Sequence, residues 1–254
     1  MPNGRVAVIS DVHGNAWALE AVLAELDALD VDEIVVGGDT ASGPRPMETL
    51  DALRERGARF VRGNADRVLD LQGADTGAAW VQARYWVAER LGEERLAFLA
   101  GLPLDVVVEA GSLGRVRVCH GAPGSDTLTI TYLTPDDRLR DLLEGVEEQV
   151  VVCGHTHVQF DRTVDGIRVV NCGSVGAPYE PEPAAYWALL GDGVELRRTD
   201  YDVEAAIAGA FAAGYPKAEE ATSFLRPDPA RAERISRLIE GLPEYSPASP
   251  PARP

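Results

Sequence analysis

Apolar and polar positions follow two alternating periods through the first quarter of the chain. The apolar runs RVAVIS (5–10), EIVVGG (33–38) and ARFV (58–61) predict three strands. Residues 15–29 place apolar side chains at helical spacing, and residues 46–57 predict a second helix that ends at a glycine. This β-α-β-α-β order predicts a parallel sheet covered by helices.

Residues 76–101 carry an aromatic-rich helical pattern that predicts two helices with a break near Gly92. Two interpretations fit this segment. It either packs in the core, which we favour, or forms a lid over a site, in which Trp80 or Trp86 would stack on a base.

The chain after Pro103 is predominantly β-type. Seven short runs predict strands, and Asp165 and Gly166 between two of them are a strong hairpin signal. A helix at about residues 135–145 interrupts this set, and helices at about residues 202–241 follow it. We therefore predict a parallel half followed by a mainly antiparallel half.

The predicted fold is α/β, with two mixed β-sheets packed face to face in a sandwich and flanked by helices, in four layers (α/β/β/α). Residues 1–245 are predicted to form a single domain, with residues 76–101 as a helical insertion. The Pro/Ser-rich residues 246–254 are predicted to be a flexible tail.

Charge and composition narrow the classes of partner. The chain has 254 residues and a formal net charge of −17, from 41 acidic and 24 basic side chains. Because a nucleic-acid backbone is bound by clustered Lys and Arg, this charge argues against a nucleic-acid polymer as partner. No apolar run approaches the roughly 20 residues of a membrane span. The first strand begins without a leader pattern, so we expect a cytoplasmic protein that does not contact a membrane.

The spacing of the three cysteines shows no pairing. It favours buried free thiols over disulfide bonds.

Candidate chemistry collects where strands end. Five strands are followed closely by Asp, Asn or His, and open α/β sheets bind ligands at the carboxyl ends of their strands. All four histidines of the chain belong to this set, which comprises Asp11, His13, Asp39, Asn64, His120, His155 and His157. Imidazole nitrogens combined with carboxylate and amide oxygens suit Mn, Fe, Zn, Co or Ni. Seven ligands are too many for one tetrahedral zinc ion and suit two metal ions.

In chain order the motifs read DVH (11–13), GGD (37–39), GNAD (63–66), CHG (119–121) and GHTH (154–157). This series resembles the calcineurin-like metallophosphoesterases, whose pattern is D-x-H, G-D, G-N-H-[DE], a strand-end H and G-H-x-H. The resemblance extends from about residue 5 to about residue 200. The GNAD variant and the segment NCGSVGAPY are similar to a bacterial and archaeal phosphodiesterase-like branch of that family.

The resemblance implies a dinuclear metal centre. One ion would be held by Asp11, His13 and His157, the other by Asn64, His120 and His155, and Asp39 would bridge both. Manganese is the first expectation for both divalent ions, with Fe, Zn, Ni, Co and Mg as alternatives. A hydroxide between the ions would attack phosphorus in line with the leaving group.

The usual leaving-group acid of the family is the histidine of G-N-H-[DE], and this chain has Ala65 there. A methyl group has no proton to donate, and general acid catalysis contributes about 10²–10⁴-fold. We therefore expect a small phosphorylated substrate with a good leaving group, a phosphodiester or a phosphoanhydride such as a nucleotide. Asp66 keeps the acidic position of the motif, where it either orients the site, which we favour, or replaces the missing acid.

The predicted activity is that of a metal-dependent phosphodiesterase or dinucleoside-polyphosphate hydrolase. The predicted catalytic residues are Asp11, Asp39, Asn64, Asp66 and His120, and the predicted substrate contacts are Asn15, Arg67 and Trp80. A surface salt bridge is the alternative for Arg67. A phosphomonoesterase, including a protein phosphatase, is the alternative enzyme, and a non-catalytic scaffold with this fold is the alternative from another class. The physiological substrate and the oligomeric state stay open.

Overall fold

The computed structural model describes residues 4–68 and 77–242. Ten strands in this part of the chain form two five-stranded sheets. In chain order they are β1 (Val6–Ile9), β2 (Glu33–Val36), β3 (Arg59–Phe60), β4 (Asp105–Ala110), β5 (Gly114–Cys119), β6 (Val150–Cys153), β7 (Phe160–Val164), β8 (Ile167–Asn171), β9 (Ala185–Leu190) and β10 (Val194–Thr199). The first sheet has the order β10-β9-β1-β2-β3, and the second has the order β4-β5-β6-β8-β7. The three strands β1, β2 and β3 are parallel, as predicted.

The strands after Pro103 pair mainly antiparallel, as predicted: β4 with β5, β7 with β8, β9 with β10 and β9 with β1. The sequence did not predict two features of this half. In the second sheet, β5, β6 and β8 run parallel to one another. Strands β9 and β10 return to the first sheet, where β9 pairs antiparallel with β1. The reason is that a run of β-forming residues identifies a strand but does not encode which strand lies beside it or in which direction.

Seven α-helices flank the sheets in the described residues. They are α1 (Ala16–Leu29), α2 (Pro46–Glu55), α3 (Ala79–Ala100), α4 (Asp136–Leu142), α5 (Val203–Ala212), α6 (Ala218–Ser223) and α7 (Arg231–Ile239). The break predicted near Gly92 is present inside α3, where Gly92 has φ 70° and ψ 173°. Residue 76, where that helical pattern begins, and the predicted tail at 246–254 lie outside the described residues. Among the helices seen, none is both long enough and apolar enough to cross a membrane.

Three apolar clusters define the layers. The cluster between the sheets is built from alternate residues of both, such as Val8 and Val118. A second cluster joins the first sheet to α1, α2 and α3, and a third joins the second sheet to α4. The order of layers is therefore helix, sheet, sheet, helix, and the predicted fold class is confirmed.

Helix α3 packs as a core helix along much of its length. Val87 and Leu91 are buried in the cluster beside the first sheet, and Trp86 lies edge-to-face against Tyr215, with 5.3 Å between ring centroids. Near the start of the helix, Trp80 is 44% exposed. Core packing therefore accounts for Trp86, while a lid formed by this segment stays a prediction.

Two local sequence signals are confirmed. Asp165 and Gly166 join β7 to β8 with φ values of 47° and 87°, the left-handed pair that a tight two-residue hairpin turn requires. Cys119, Cys153 and Cys172 are buried and unpaired, as their spacing predicted.

Helix α5 contacts α1 through a close approach at Gly209. A Cβ atom at this position would lie 2.0 Å from the ring of Trp17. We therefore expect Gly209→Ala to lower the free energy of unfolding by about 1–3 kcal/mol, the usual effect of overpacking, in urea or thermal unfolding. Gly193→Ala is the matched control, because a Cβ atom there meets nothing within 4 Å. Equal losses from both substitutions would contradict this account of how α5 is held.

Candidate metal centre

Side chains from five strand ends meet at one edge of the two sheets. In the first sheet, Asp11 and His13 follow β1, Asp39 follows β2, and Asn64 follows β3. In the second sheet, His120 follows β5, and His155 and His157 follow β6. Parallel strands deliver their carboxyl ends to the same edge. Because the sheets pack face to face, both contribute to one cluster.

The first group in the cluster consists of Asp11, His13 and His157, whose ligand atoms lie within 4.8 Å of one another. His157 Nε2 is 3.0 Å from Asp11 Oδ1 and 3.3 Å from His13 Nε2. The Asp11 side chain is fully buried, whereas 22% of the His13 side chain is exposed. A small molecule can therefore approach this group from the side of His13.

The second group is centred on His120. His120 Nε2 is 3.1 Å from Asn64 Oδ1 and 3.6 Å from Asp39 Oδ1, and the His155 ring lies 4.8 Å from the His120 ring. The other oxygen of Asp39, Oδ2, is 3.6 Å from His13 Nε2 in the first group. Asp39 is therefore placed to contact ions in both groups.

Two histidines of the cluster form hydrogen bonds through Nδ1, which leaves the electron pair of each Nε2 directed into the cluster. His157 Nδ1 is 2.6 Å from the carbonyl oxygen of Ala177, and His120 Nδ1 is 2.8 Å from that of Gly37. Each Nδ1 carries the proton that it donates to the carbonyl, so each Nε2 is available as a metal ligand. Asp11 Oδ1 is buried without a hydrogen-bond partner. Divalent cations would satisfy these acceptors, so the residues fit a metal centre.

The charges in the cluster also favour a cation. Burial works against protonation of His120 and His157, but the carboxylates of Asp39 and Asp11 outweigh burial and raise the pKa of both histidines. Burial likewise opposes the charge on Asp11, yet the surrounding histidines hold the pKa of Asp11 well below its usual range. The buried carboxylate of Asp11 is thus stabilised by positive charge, which histidine protons supply in the absence of metal and which a divalent cation would supply in their place.

Backbone strain is concentrated at the same residues. Left-handed φ values occur at Asp11 (54°), His13 (46°), Asp39 (53°), His155 (64°) and His157 (57°). Among the other described residues that are not glycine, only Asp30 at the end of α1 and Asp165 in the hairpin share this conformation. Each such residue costs about 1–3 kcal/mol, and strain of this kind clusters at functional sites.

Steric contacts explain why glycine precedes two of the ligand-type residues, Asn64 and His155. A Cβ atom at Gly63 would lie 2.1 Å from Asp39 Oδ1, and one at Gly154 would lie 2.4 Å from Asp11 Oδ2. Any side chain at either position would displace one of the two carboxylates. The G-N and G-H steps of the motifs therefore let neighbouring strand ends approach each other closely.

Asp66 supports the loop that carries Asp39. Its Oδ2 accepts hydrogen bonds from the backbone N–H groups of Asp39 and Gly63, both at 2.9 Å, and its Oδ1 accepts one from Thr40 at 3.0 Å. Burial and the neighbouring Asp39 raise the pKa of Asp66 to about 7, against the effect of the N–H donors. Since backbone donors engage both oxygens, the geometry favours the orienting role over the role of replacement acid.

The three predicted substrate contacts have separate surroundings. The side chain of Asn15 caps the start of α1 and donates a hydrogen bond to the Tyr201 hydroxyl at 3.2 Å. Arg67 Nε lies 3.3 Å from Asp126 Oδ2, so the alternative of a salt bridge is present. Trp80 is exposed on α3. Contacts within the protein thus account for Asn15 and Arg67, and substrate binding by all three residues stays a prediction.

A cavity of about 260 Å³ opens beside the first group. His13 and His157 line one end, and α5, α6 and the residues around them line the other. Tyr179 stacks on the His157 ring at 4.6 Å between centroids, and Phe224 contacts Tyr179 at 5.2 Å. The sequence pattern did not indicate that α5 and α6 line a cavity, and it offered residues 76–101 as a segment over the site only as the alternative to core packing. A helical pattern shows that a helix forms, but it does not show where that helix docks.

Residues 5–191 match the family described as the calcineurin-like phosphoesterase superfamily domain. The uncharacterized protein MJ0912 from Methanocaldococcus jannaschii is 27% identical over 227 residues, which cover 81% of this chain and 91% of that protein. The structure of hypothetical protein PH1004 from Pyrococcus horikoshii is similar with a TM-score of 0.75 and 22% identity, over 88% of this chain and 98% of the other. A metallophosphoesterase from Sphaerobacter thermophilus is similar with a TM-score of 0.71 and 27% identity, over 90% and 98% of the two chains.

The family match includes all five motifs and nine of the ten described strands, β1 to β9, and it confirms the resemblance inferred from the strand-end residues. The acceptor cluster at the sheet edge supplies a site that can hold metal. The chain belongs to the calcineurin-like phosphoesterase superfamily.

Proposed function

We propose that the protein is a two-metal hydrolase that cleaves a small phosphodiester or phosphoanhydride. The observation that carries the proposal is the convergence of two acceptor groups joined by Asp39, at distances of 3.0–3.6 Å between neighbouring ligand atoms. A scaffold without catalysis is disfavoured, because the motif series retains every metal-ligand position and lacks only the histidine that Ala65 replaces.

Two divalent ions held here would lower the pKa of a shared water and offset the charge of the phosphoryl oxygens. The protein itself fixes the carboxylates that face these ions. Asp11 Oδ2 accepts the backbone N–H of His155 at 2.9 Å, which directs Oδ1 into the cluster. Asp39 Oδ1 accepts the N–H of Ala65 at 2.7 Å, which sets the carboxylate between the groups. Manganese remains our first expectation for the ions, with Fe, Zn, Ni, Co and Mg as alternatives.

Among the described residues, the structure provides no evident general acid to protonate the leaving group. The methyl group of Ala65 has no acidic proton, and the N–H of Ala65 already donates a hydrogen bond to Asp39. Asp66 is held by backbone donors. We therefore propose substrates whose leaving group is stable as an anion, such as the phosphate of an anhydride or an aryloxide.

With Mn²⁺, bis(4-nitrophenyl) phosphate should be hydrolysed with a kcat/KM at least about tenfold above that of 4-nitrophenyl phosphate. Both esters release the same leaving group, and only the diester has a second apolar arm that the cavity beside His13 can bury. The measurement is release of nitrophenolate across a panel of divalent metals, with a chelator as the metal-free control. Faster hydrolysis of the monoester would instead indicate a phosphomonoesterase or protein phosphatase.

Asp39→Asn should reduce the metal bound per chain and lower kcat/KM by at least about 100-fold, because the amide removes the charge that faces both groups. Elemental analysis of the purified protein and the diester assay measure the two effects. Glu148→Gln is the matched control, since Glu148 is buried and pairs with Arg115 and Arg117 at the end of β6 opposite the cluster. Unchanged metal content and unchanged activity in Asp39→Asn would exclude the two-metal mechanism.

Ala65→His should accelerate esters with poor leaving groups by up to about 100-fold and affect good leaving groups much less, because only the former need a proton. The readout is the slope of log kcat/KM against leaving-group pKa in a series of aryl diesters. Ala65→Gln adds bulk without an acidic proton and serves as the control.

A matched series with Asp66→Asn separates its two roles. If Asp66 orients the site, Asp66→Asn should lower kcat/KM by the same factor for every ester. If Asp66 is a catalytic acid, the loss of kcat/KM should grow with leaving-group pKa.

Equal effects of Ala65→His on poor and good leaving groups would show that the missing histidine does not set the substrate range.

A further inference from the structure

The cavity beside His13 and His157 has a wall that lies beyond the family match. The match ends at residue 191, whereas α5, α6 and the residues around them form one side of the cavity. Arg231, at the start of α7, holds this wall by donating hydrogen bonds to the carbonyl oxygens of Ser223, Phe224 and Arg226. Helix α7 is in turn joined to the earlier part of the chain by a hydrogen bond from the Tyr132 hydroxyl to Glu233 at 2.6 Å, so the wall is tied to the rest of the fold.

Aromatic rings lead from this wall to the metal centre. Phe224 packs against Tyr179, and Tyr179 stacks on His157 with an interplanar angle of 29°. Tyr215 and Trp17 also line the cavity, and so do four alanines. Small side chains beside aromatic ones leave space for a flat apolar group, which would gain contacts with the rings there.

The polar edge of the cavity contains Lys217, the only lysine in the chain. Its ammonium group lies 2.6 Å from Glu220 Oε1, and Glu220 lines the same cavity. A lysine ammonium is a compact charge with three rotatable donors, and the carboxylate beside it is an acceptor. The pair can therefore match a ligand that presents acceptors and donors along one edge.

Resting on the proposed function, we infer that this cavity binds the organic arm of the substrate and that the arm is a nucleoside. The base lies among Phe224, Tyr179 and the alanines of α5 and α6, with polar groups of the nucleoside at Lys217 and Glu220. The phosphate then lies at His13 and His157, where the cavity meets the metal centre. The substrate class is a nucleoside phosphodiester or phosphoanhydride rather than an alkyl or inorganic phosphate.

Calorimetric titration of the Mn²⁺-loaded full-length protein with adenosine 5′-monophosphate and with methyl phosphate tests this inference. Both probes are phosphate monoesters of an alcohol, and they differ only in the nucleoside. We expect the nucleotide to bind at least about tenfold more tightly, within the range that stacking of a base on aromatic side chains provides.

Two substitutions should reduce this affinity ratio by about three- to tenfold while leaving methyl phosphate binding unchanged. Phe224→Ala removes a ring of the wall, and Lys217→Gln removes the ammonium group. Phe211→Ala, at an exposed ring on α5, and Arg234→Gln, at an exposed ion pair on α7, are matched controls that should keep the ratio. Because Phe224→Ala also removes packing, Ala221→Leu provides a second test, since it fills the cavity from α6 and keeps Phe224.

Equal affinities for the two probes in the unmodified protein would overturn the inference. The inference would also be overturned if Phe224→Ala and Phe211→Ala changed the ratio of nucleotide to methyl phosphate affinity equally and Ala221→Leu left that ratio unchanged. The diester assay reports separately on the proposed function. Tighter binding of the nucleotide without hydrolysis of the diester would support the nucleoside-binding cavity and contradict the proposed hydrolase function. Hydrolysis without tighter binding of the nucleotide would contradict only the proposed role of the cavity.

Discussion

A cluster of buried electron pairs is the constraint on which this structure depends. Asp11 is fully buried and its Oδ1 lacks a hydrogen-bond partner, while His157 directs Nε2 into the same space. Such desolvated acceptors are costly unless a cation pairs with them. The strand-end loops hold the cluster together through their backbones, since Asp11 N–H donates to the Gly38 carbonyl and His13 N–H to that of Asp39, both at 3.0 Å. Bonds between neighbouring loops thus keep these residues in left-handed conformations that they would not adopt alone.

Short-range sequence signals were sufficient for this part of the molecule because the site is built from strand ends. Each ligand-type residue follows a strand within a few positions, and parallel strands place those positions at one edge. The step from Gly63 to Asn64 illustrates the local nature of the signal. The glycine is needed because Asp39 approaches within 2.1 Å of where its Cβ atom would lie. Both the fold class and the set of residues that converge could therefore be predicted from pattern alone.

The features that could not be predicted depend on contacts between distant parts of the chain. Strands β9 and β10 have ordinary β-type patterns, and only pairing with β1 places them in the first sheet. Asn15, whose predicted substrate contact stays a prediction, donates a hydrogen bond to Tyr201, which is 186 residues further along the chain. The position of α5 depends on Gly209 fitting against Trp17, and that of α6 depends on Arg231. Neither contact leaves a local signature, so the wall of the cavity was not foreseen.

The acidic charge of the protein and an anionic substrate are compatible because charge acts over a limited range. At physiological ionic strength, exposed charges are screened beyond about 8–10 Å, so the net charge of −17 matters less at the site than the groups that line it. A small phosphate ester bound at the sheet edge would lie beside the metal-ligand cluster and would contact little of the remaining surface. A nucleic-acid polymer would instead lay many phosphates across a surface on which 41 acidic side chains outnumber 24 basic ones. The same distribution of charge that tolerates a small nucleotide therefore disfavours a polymer, which leaves the choice among small substrates to short-range contacts in the cavity.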